Sequence, residues 1–151
     1  MSDNIKIKIV SKSGRVPEYA TSGSSGFDIA AYLPDGDFLL KAGERALIPT
    51  GYIVEIPEGY EAQIRARSGL SIKHGIGLVN GIGTVDSDYR GEWNVPLINW
   101  SKEDYLIKDG ERIAQVVINK YEQVGFEIVK DISEISETER GAGGFGHTGK
   151  M

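Results

Sequence analysis

Cysteine is absent from this 151-residue chain, which excludes disulfides and thiolate metal sites and leaves no redox address in the sequence. Histidine is nearly absent too, and its two copies form no cluster of ligands for a protein-built metal cage. No apolar run is long enough to span a bilayer. The first ten residues, Met-Ser-Asp-Asn-Ile-Lys-Ile-Lys-Ile-Val, lack the continuous apolar centre of a signal peptide. A soluble, cytoplasmic protein is therefore expected, with no membrane partner. Excess positive charge is also missing. A formal charge of -5 argues against general binding to nucleic acid or anionic lipid, both of which need a basic face. A polyphosphate can still bind through a few local Arg and Gly positions.

Helical periodicity is the remaining absence. Ile5, Ile7 and Ile9 alternate with Lys6 and Lys8, the period-2 pattern of a half-buried strand. Further short strands are predicted at 26–31, 38–40, 46–49, 52–56, 60–65, 95–100, 105–107, 113–118 and 126–129, separated by Gly, Pro and Asp. One short helix is predicted around Ser68 to His74, and His74 reads as structural. Asn80-Gly81, set between Ile76 to Val79 and Ile82 to Val85, predicts a hairpin whose two turn residues take positive φ. Many short strands with one short helix imply an all-β, jelly-roll-like distorted β-barrel. Residues 1–130 are assigned to that domain. Residues 131–151 are acidic and then Gly-rich, too poor in apolar surface to fold alone, and are assigned to a flexible C-terminal arm.

Five stretches carry candidate chemistry. Asp28 follows Gly26-Phe27 at a strand. Arg67-Ser68-Gly69 opens the helix with a guanidinium, a hydroxyl and free backbone N–H groups, which suits phosphate; Ser68 as an ordinary N-cap is the competing reading. In the stretch from Gly81 to Trp93, Asp86, Asp88 and Tyr89 stand at the end of the predicted hairpin, a base-reading slot beside an acid. Gln115 alternates with Ala114 and Val116, so an inward amide is placed to donate to phosphate or to a structural acceptor. Arg140-Gly-Ala-Gly-Gly-Phe-Gly-His-Thr-Gly149 combines glycines able to form an anion nest with an arginine, an aromatic ring and a hydroxyl; a plain flexible linker is the alternative.

Taken together and in this order, these stretches resemble the trimeric deoxyuridine triphosphatase (dUTPase) family. The resemblance implies a homotrimer with three sites at subunit interfaces. Each would join the first, second and fourth motifs of one subunit to the third of a neighbour and the arm of the remaining one. It implies hydrolysis of dUTP to dUMP and pyrophosphate, which lowers dUTP, limits uracil incorporation into DNA and supplies dUMP for dTMP synthesis. Asp86 would be the general base that activates water for attack on the α-phosphorus. Asn80 and the backbone of Gly83, Thr84 and Val85 would read O4 and N3–H of uracil, and Tyr89 would pack under the deoxyribose. Arg67, Ser68, Gly69 and Gln115 would bind the phosphate chain. Asp28 would hold a water on a Mg2+ ion carried mainly by the phosphates. Phe145 would stack on the base, with Arg140, Gly146, His147 and Thr148 closing over the γ-phosphate.

Two positions depart from the family pattern. Phe27 stands where tyrosine is frequent. His147 stands where serine is usual, and a protonated imidazole there would add a charge-assisted bond to the γ-phosphate. A dCTP deaminase is the nearest rival, but Pro96 occupies the place where those enzymes carry a catalytic glutamate, and they lack the Gly-rich arm. A protein of another class, whose tail is ordered by a nucleotide to change a partner surface, is the second alternative.

Overall fold

A computed structural model describes residues 4–150. The first three residues of the predicted domain and Met151 of the predicted arm lie outside the described residues. In chain order the elements are β1 (Lys8–Ser11), β2 (Phe27–Ala30), β3 (Phe38–Leu40), β4 (Arg45–Glu55), β5 (Tyr60–Arg65), α1 (Ser68–His74), β6 (Ile76–Leu78), β7 (Ile82–Val85), β8 (Glu92–Asn99), β9 (Tyr105–Ile107) and β10 (Arg112–Lys120). One sheet runs β1-β4-β8-β6, a second runs β2-β10-β5-β7, and β3 pairs with β9. Every pairing is antiparallel.

The two four-stranded sheets share one core. From the first come Ile48, Val54, Trp93, Val95 and Leu97, and from the second Ile29, Ala62, Ile64, Ile113 and Val116. Period-2 alternation, shifted in β10 by a bulge between Arg112 and Ala114, puts these on the inner faces, and each fully buried aliphatic side chain contributes roughly 1.5–3 kcal/mol over its exposed state. The sheets are open, so the jelly-roll-like all-β expectation holds as two packed sheets rather than a closed ring.

Several expectations are corrected. The strand predicted from Ile5 begins only at Lys8, with Ile5 exposed and Ile7 alone packing on the core. The stretches 46–49 and 52–56 are one strand, β4, which runs through Pro49 and Gly51. A register shift between Pro49 and Ile53 takes up the break, with Gly51 at φ 73°. Thr50 sustains this bulge: its buried Oγ1 donates to Trp93 O at 2.6 Å and accepts from Tyr52 N at 3.2 Å, occupying groups the ladder leaves over.

Asn80-Gly81 is not a hairpin turn. β6 pairs with β8 and β7 with β5, so the turn carries the chain from one sheet to the other. A type I′ hairpin needs positive φ at both central residues, whereas here only Gly81 has it, at 74°. The predicted strand 126–129 is also absent. Phe126 and Ile128 are 91% and 93% exposed, and no strand of the described residues pairs with them.

Asn99 ties the end of β8 to its surroundings. It is fully buried, its Nδ2 donates to Leu40 O and Glu103 O at 3.1 and 2.7 Å, and its Oδ1 accepts from the Ser101 amide and hydroxyl. Asn99→Ala leaves the buried Leu40 carbonyl without its donor. It is expected to lower stability by about 2–4 kcal/mol, read as a lower urea midpoint at unchanged slope. An unmoved midpoint would contradict this account of the β8 terminus.

Candidate active site

The second sheet builds the first half of the site. Asp28 on β2, Gln115 on β10 and Arg65 on β5 are directly opposite one another across two ladders. Their neighbours Ile29, Ala114, Val116 and Ile64 fill the core, so all three face away from it. Gln115 is thus not inward as read from the sequence: it looks into a surface cleft shared with Gly26, Asp28, Arg65 and Arg112, and Nε2 donates to Ala66 O at 3.0 Å. A Cβ at Gly26 would lie 3.1 Å from Val116 O and 3.3 Å from Gln115 Oε1, so this close strand approach depends on glycine.

Arg67 follows β5 and leans over this row. Its Nε lies 3.2 Å from Asp28 Oδ1 and its Nη1 donates to Arg112 O at 3.1 Å. Arg112 Nη1 meets the other carboxylate oxygen at 3.4 Å, leaving Asp28 between two guanidiniums. Arg67, not Ser68, is the N-cap of α1, and no side chain caps the helix, so Ser68 and Gly69 stand exposed at its first turn. The N-cap alternative for Ser68 is therefore set aside. Behind Arg67, the Tyr105 hydroxyl donates to the Glu111 carboxylate. The His74 ring packs on Tyr105 at 4.9 Å between centroids, a structural role as read from the sequence.

The other half lies between β7 and the start of β8. A cleft of about 340 Å3 is lined by Asn80, Gly83, Thr84, Val85, Asp86 and Tyr89 on one side and by Leu47, Trp93 and Pro96 on the other. β6 pairs with β8 only as far down as Leu97, so the earlier part of β8 leaves this opening unfilled. Space for a Cβ at Gly83 is taken by Ile64 at 3.3 Å and by Asn80 Nδ2 at 3.4 Å, which keeps the Asn80 amide against the Gly83 backbone. Tyr89 is fixed from both ends. Its N–H donates to Asp86 O at 3.2 Å, its hydroxyl to Glu92 O at 3.0 Å, and the ring covers Gly91, where a Cβ would collide with it. Asp86 is exposed at the mouth.

Among the described residues the arm lines neither half and hydrogen-bonds to neither. After a single 3-10 turn at Ile132–Glu134 it curls on itself, with Arg140 Nε donating to Gly143 O at 2.7 Å and the His147 ring lying against Gly143. Phe145 projects fully into solvent at φ 44°, the only non-glycine residue with positive φ among the described residues.

The dUTPase family profile matches residues 12–149. A deoxyuridine 5'-triphosphate nucleotidohydrolase of Finegoldia magna is 54% identical over 96% of this chain and 99% of its own. The chain belongs to the dUTPase family. A relative of the same description from Rickettsia felis is 51% identical over 96% of both chains. Among solved structures, a variant of the Staphylococcus bacteriophage 80alpha dUTPase with dUpNHpp superposes with a TM-score of 0.80 at 28% identity, covering 97% of this chain and 99% of that one. A variant phage phi11 dUTPase, described with a structural Mg(II) ion, shares the fold at TM-score 0.75 and 24% identity, over 85% and 99% of the two chains. This chain is accordingly a dUTP-hydrolysing enzyme.

Within this chain the two halves stand apart. Gln115 is level with Arg65, whereas Val85 is level with Ala62 and Ile118. Asp86, one residue further, lies roughly 13 Å along the sheet from Gln115 at about 3.3 Å per residue. Sequence reading missed Arg65, Arg112 and Glu111 at the Asp28–Gln115 half and Trp93 at the other. A bulge between Arg112 and Ala114 breaks the alternation that would have placed Arg112.

Tyr105 supplies a test of the scaffold behind Arg67. Burial first, and then its bond to Glu111, pushes its pKa from 10.0 up to about 12. A folded-state value above the unfolded one means the contribution to stability is whole below pH 10.0 and is lost as pH climbs to about 12. Tyrosinate absorbance should show one phenol titrating late, and Tyr105→Phe should flatten the alkaline fall in stability. An identical alkaline profile in the variant would contradict the assignment.

Proposed function

We propose that this chain is a dUTP diphosphatase acting as a homotrimer, with Asp86 as the base that takes a proton from water as it attacks the α-phosphorus, releasing dUMP and pyrophosphate. The observation that supports this most is the grouping of Asn80, Gly83, Val85, Asp86 and Tyr89 around one cleft, separate from the Asp28–Arg67–Gln115 row. A site divided in this way is completed when the cleft of one subunit faces the row of another. The exposed segment around Val124, Phe126 and Ile128 and the unattached arm are consistent with covering by neighbouring chains.

In this reading Asn80 and the Gly83–Val85 backbone take uracil, and Tyr89, held rigid over Gly91, closes the space a 2'-hydroxyl would need. Arg67, Ser68, Gly69 and Gln115 take the phosphates. Arg67 then exchanges Asp28 for phosphate oxygens, an exchange favoured because a partly exposed ion pair contributes little. Phe145 covers the base, while Arg140, Gly146, His147 and Thr148 fold over the γ-phosphate. No group of three or more His, Asp or Glu suited to a metal occurs among the described residues. The residues present fit a Mg2+ ion that arrives on the triphosphate and keeps most of its water, with Asp28 accepting one of those waters. On the substrate such an ion offsets phosphate charge. The physiological consequence is a low dUTP level and a supply of dUMP in the cytoplasm. No helix of the described residues is long and apolar enough to cross a membrane.

Pyrophosphate release from dUTP, dCTP, dTTP and UTP with magnesium tests the reading. Release from dUTP alone is expected, reduced about 10²- to 10⁴-fold in Asp86→Asn. Tight dUTP binding without release by the wild type would favour the nucleotide-responsive binding protein instead.

A further inference from the structure

The turn that follows β1, from Ser11 to Arg15, belongs to none of the five motifs, yet its side chains reach both halves of the site. It is a well-fastened piece of chain. Gly14 N donates to Ser11 O at 3.2 Å, Ser11 Oγ to Arg15 O at 2.6 Å, and the Arg15 N–H to Ser13 Oγ at 3.2 Å. Lys12 N donates to Gly51 O at 2.9 Å, which seats the turn on the bulge of β4. Two cations leave this turn for different partners.

Arg15 serves the row. Its Nη2 donates to Asp109 Oδ2 at 2.9 Å and its Nη1 to Ala31 O at 3.4 Å, and the guanidinium lies so close over Gly110 that a Cβ there would stand 3.0 Å from Nη2. The other oxygen of Asp109 accepts from Leu33 N at 2.8 Å. One carboxylate thus joins Arg15, the chain that follows β2 and the entry to β10. Two residues beyond Gly110 stands Arg112, whose carbonyl takes Arg67 Nη1 and whose guanidinium meets Asp28. Lys12 serves the cleft: its Nζ pairs with Glu92 Oε1, and the carbonyl of that same residue accepts the Tyr89 hydroxyl.

We propose that Lys12 and Arg15 are positioning residues for the reaction, Arg15 setting Arg67 and Arg112 at the row and Lys12 setting Tyr89 at the cleft, both from one turn. Each acts through another residue and needs no contact with the nucleotide. The inference rests on the proposed function, which gives the row to the phosphates and Tyr89 to the deoxyribose. Both ion pairs are partly exposed, and pairs of that kind contribute little to stability. What they fix is direction, and binding groups displaced by about 1 Å can cost far more in turnover than in folding.

The two residues predict different losses. Arg15→Ala should raise KM for dUTP roughly 5- to 20-fold, with kcat within about threefold of wild type and the preference for dUTP over UTP unaltered. Lys12→Ala should instead lower the preference for dUTP over UTP by roughly 3- to 10-fold, with a smaller change in KM for dUTP. Asp109→Asn should reproduce Arg15→Ala, and the double variant should be no worse than either single one, because both remove the same link. A wild-type KM in Arg15→Ala, an unchanged sugar preference in Lys12→Ala, or losses that multiply in the double variant would overturn the proposal. So would failure of either single variant to fold, since the pairs would then be structural. Calorimetric binding of dUpNHpp reports the Arg15 effect without turnover. A wild type that binds dUpNHpp but releases no pyrophosphate from dUTP, with Arg15→Ala binding it correspondingly more weakly, keeps this inference and sinks the hydrolytic reading.

Discussion

β10 pairs with β2 on one side and β5 on the other, and the position of every other part of the site follows from that double pairing. Ile113, Ala114 and Val116 hold the strand in the core, with the bulge after Arg112 letting two successive residues turn inward. Once those side chains are seated, Gln115 must face outward, level with Asp28 and Arg65. A one-residue slip would reverse each of these directions, so core packing is also what fixes the polar row. Beyond β5, antiparallel β7 carries the chain toward the opposite end of the sheet and delivers Asp86 there. The separation of Asp86 from the row of Asp28, Gln115 and Arg65 is therefore a property of the topology.

Local charge compensates for an unfavourable total. The chain carries a formal charge of -5, yet Arg67 and Arg112 both converge on Asp28. One carboxylate between two guanidiniums leaves an excess of positive charge at that spot. Both contacts are long and partly exposed, so the pair holds the guanidiniums in place without committing them. A triphosphate offers the same groups several stronger acceptors in bidentate geometry. Tyr105, bonded to Glu111 and packed on His74, forms the rigid backing to this arrangement.

Sequence legibility followed the range of the interaction. β3, β5, β9 and α1 were bounded correctly because their signals are local: a run of apolar residues between turn residues, or a short stretch ended by a glycine in the left-handed region at Gly75. Asn80-Gly81 was legible as a turn but not as a link between sheets, since periodicity does not name a strand's partner. Pro49 and Gly51 read as breaks, and only the side chain of Thr50 and the register shift reveal a strand running through them. The apolar alternation at Val124, Phe126 and Ile128 is a strand pattern with no partner strand among the described residues. The residues of the five motifs were all visible in the sequence, whereas the contact of Arg112 with Asp28 joins segments 84 residues apart.

The central claim is that no single chain holds a complete site. Mixing two variants that the proposed trimer predicts to be inactive tests it most directly: Asp86→Asn and Arg140→Ala, unfolded together and refolded as mixed oligomers. If acid and arm come from different chains, some sites in the mixture receive both intact residues, and dUTP hydrolysis returns at a fraction of the wild-type rate. If the two variants remain as inactive together as they are apart, while mixed oligomers are shown to form, the site is built within one chain and the account is wrong.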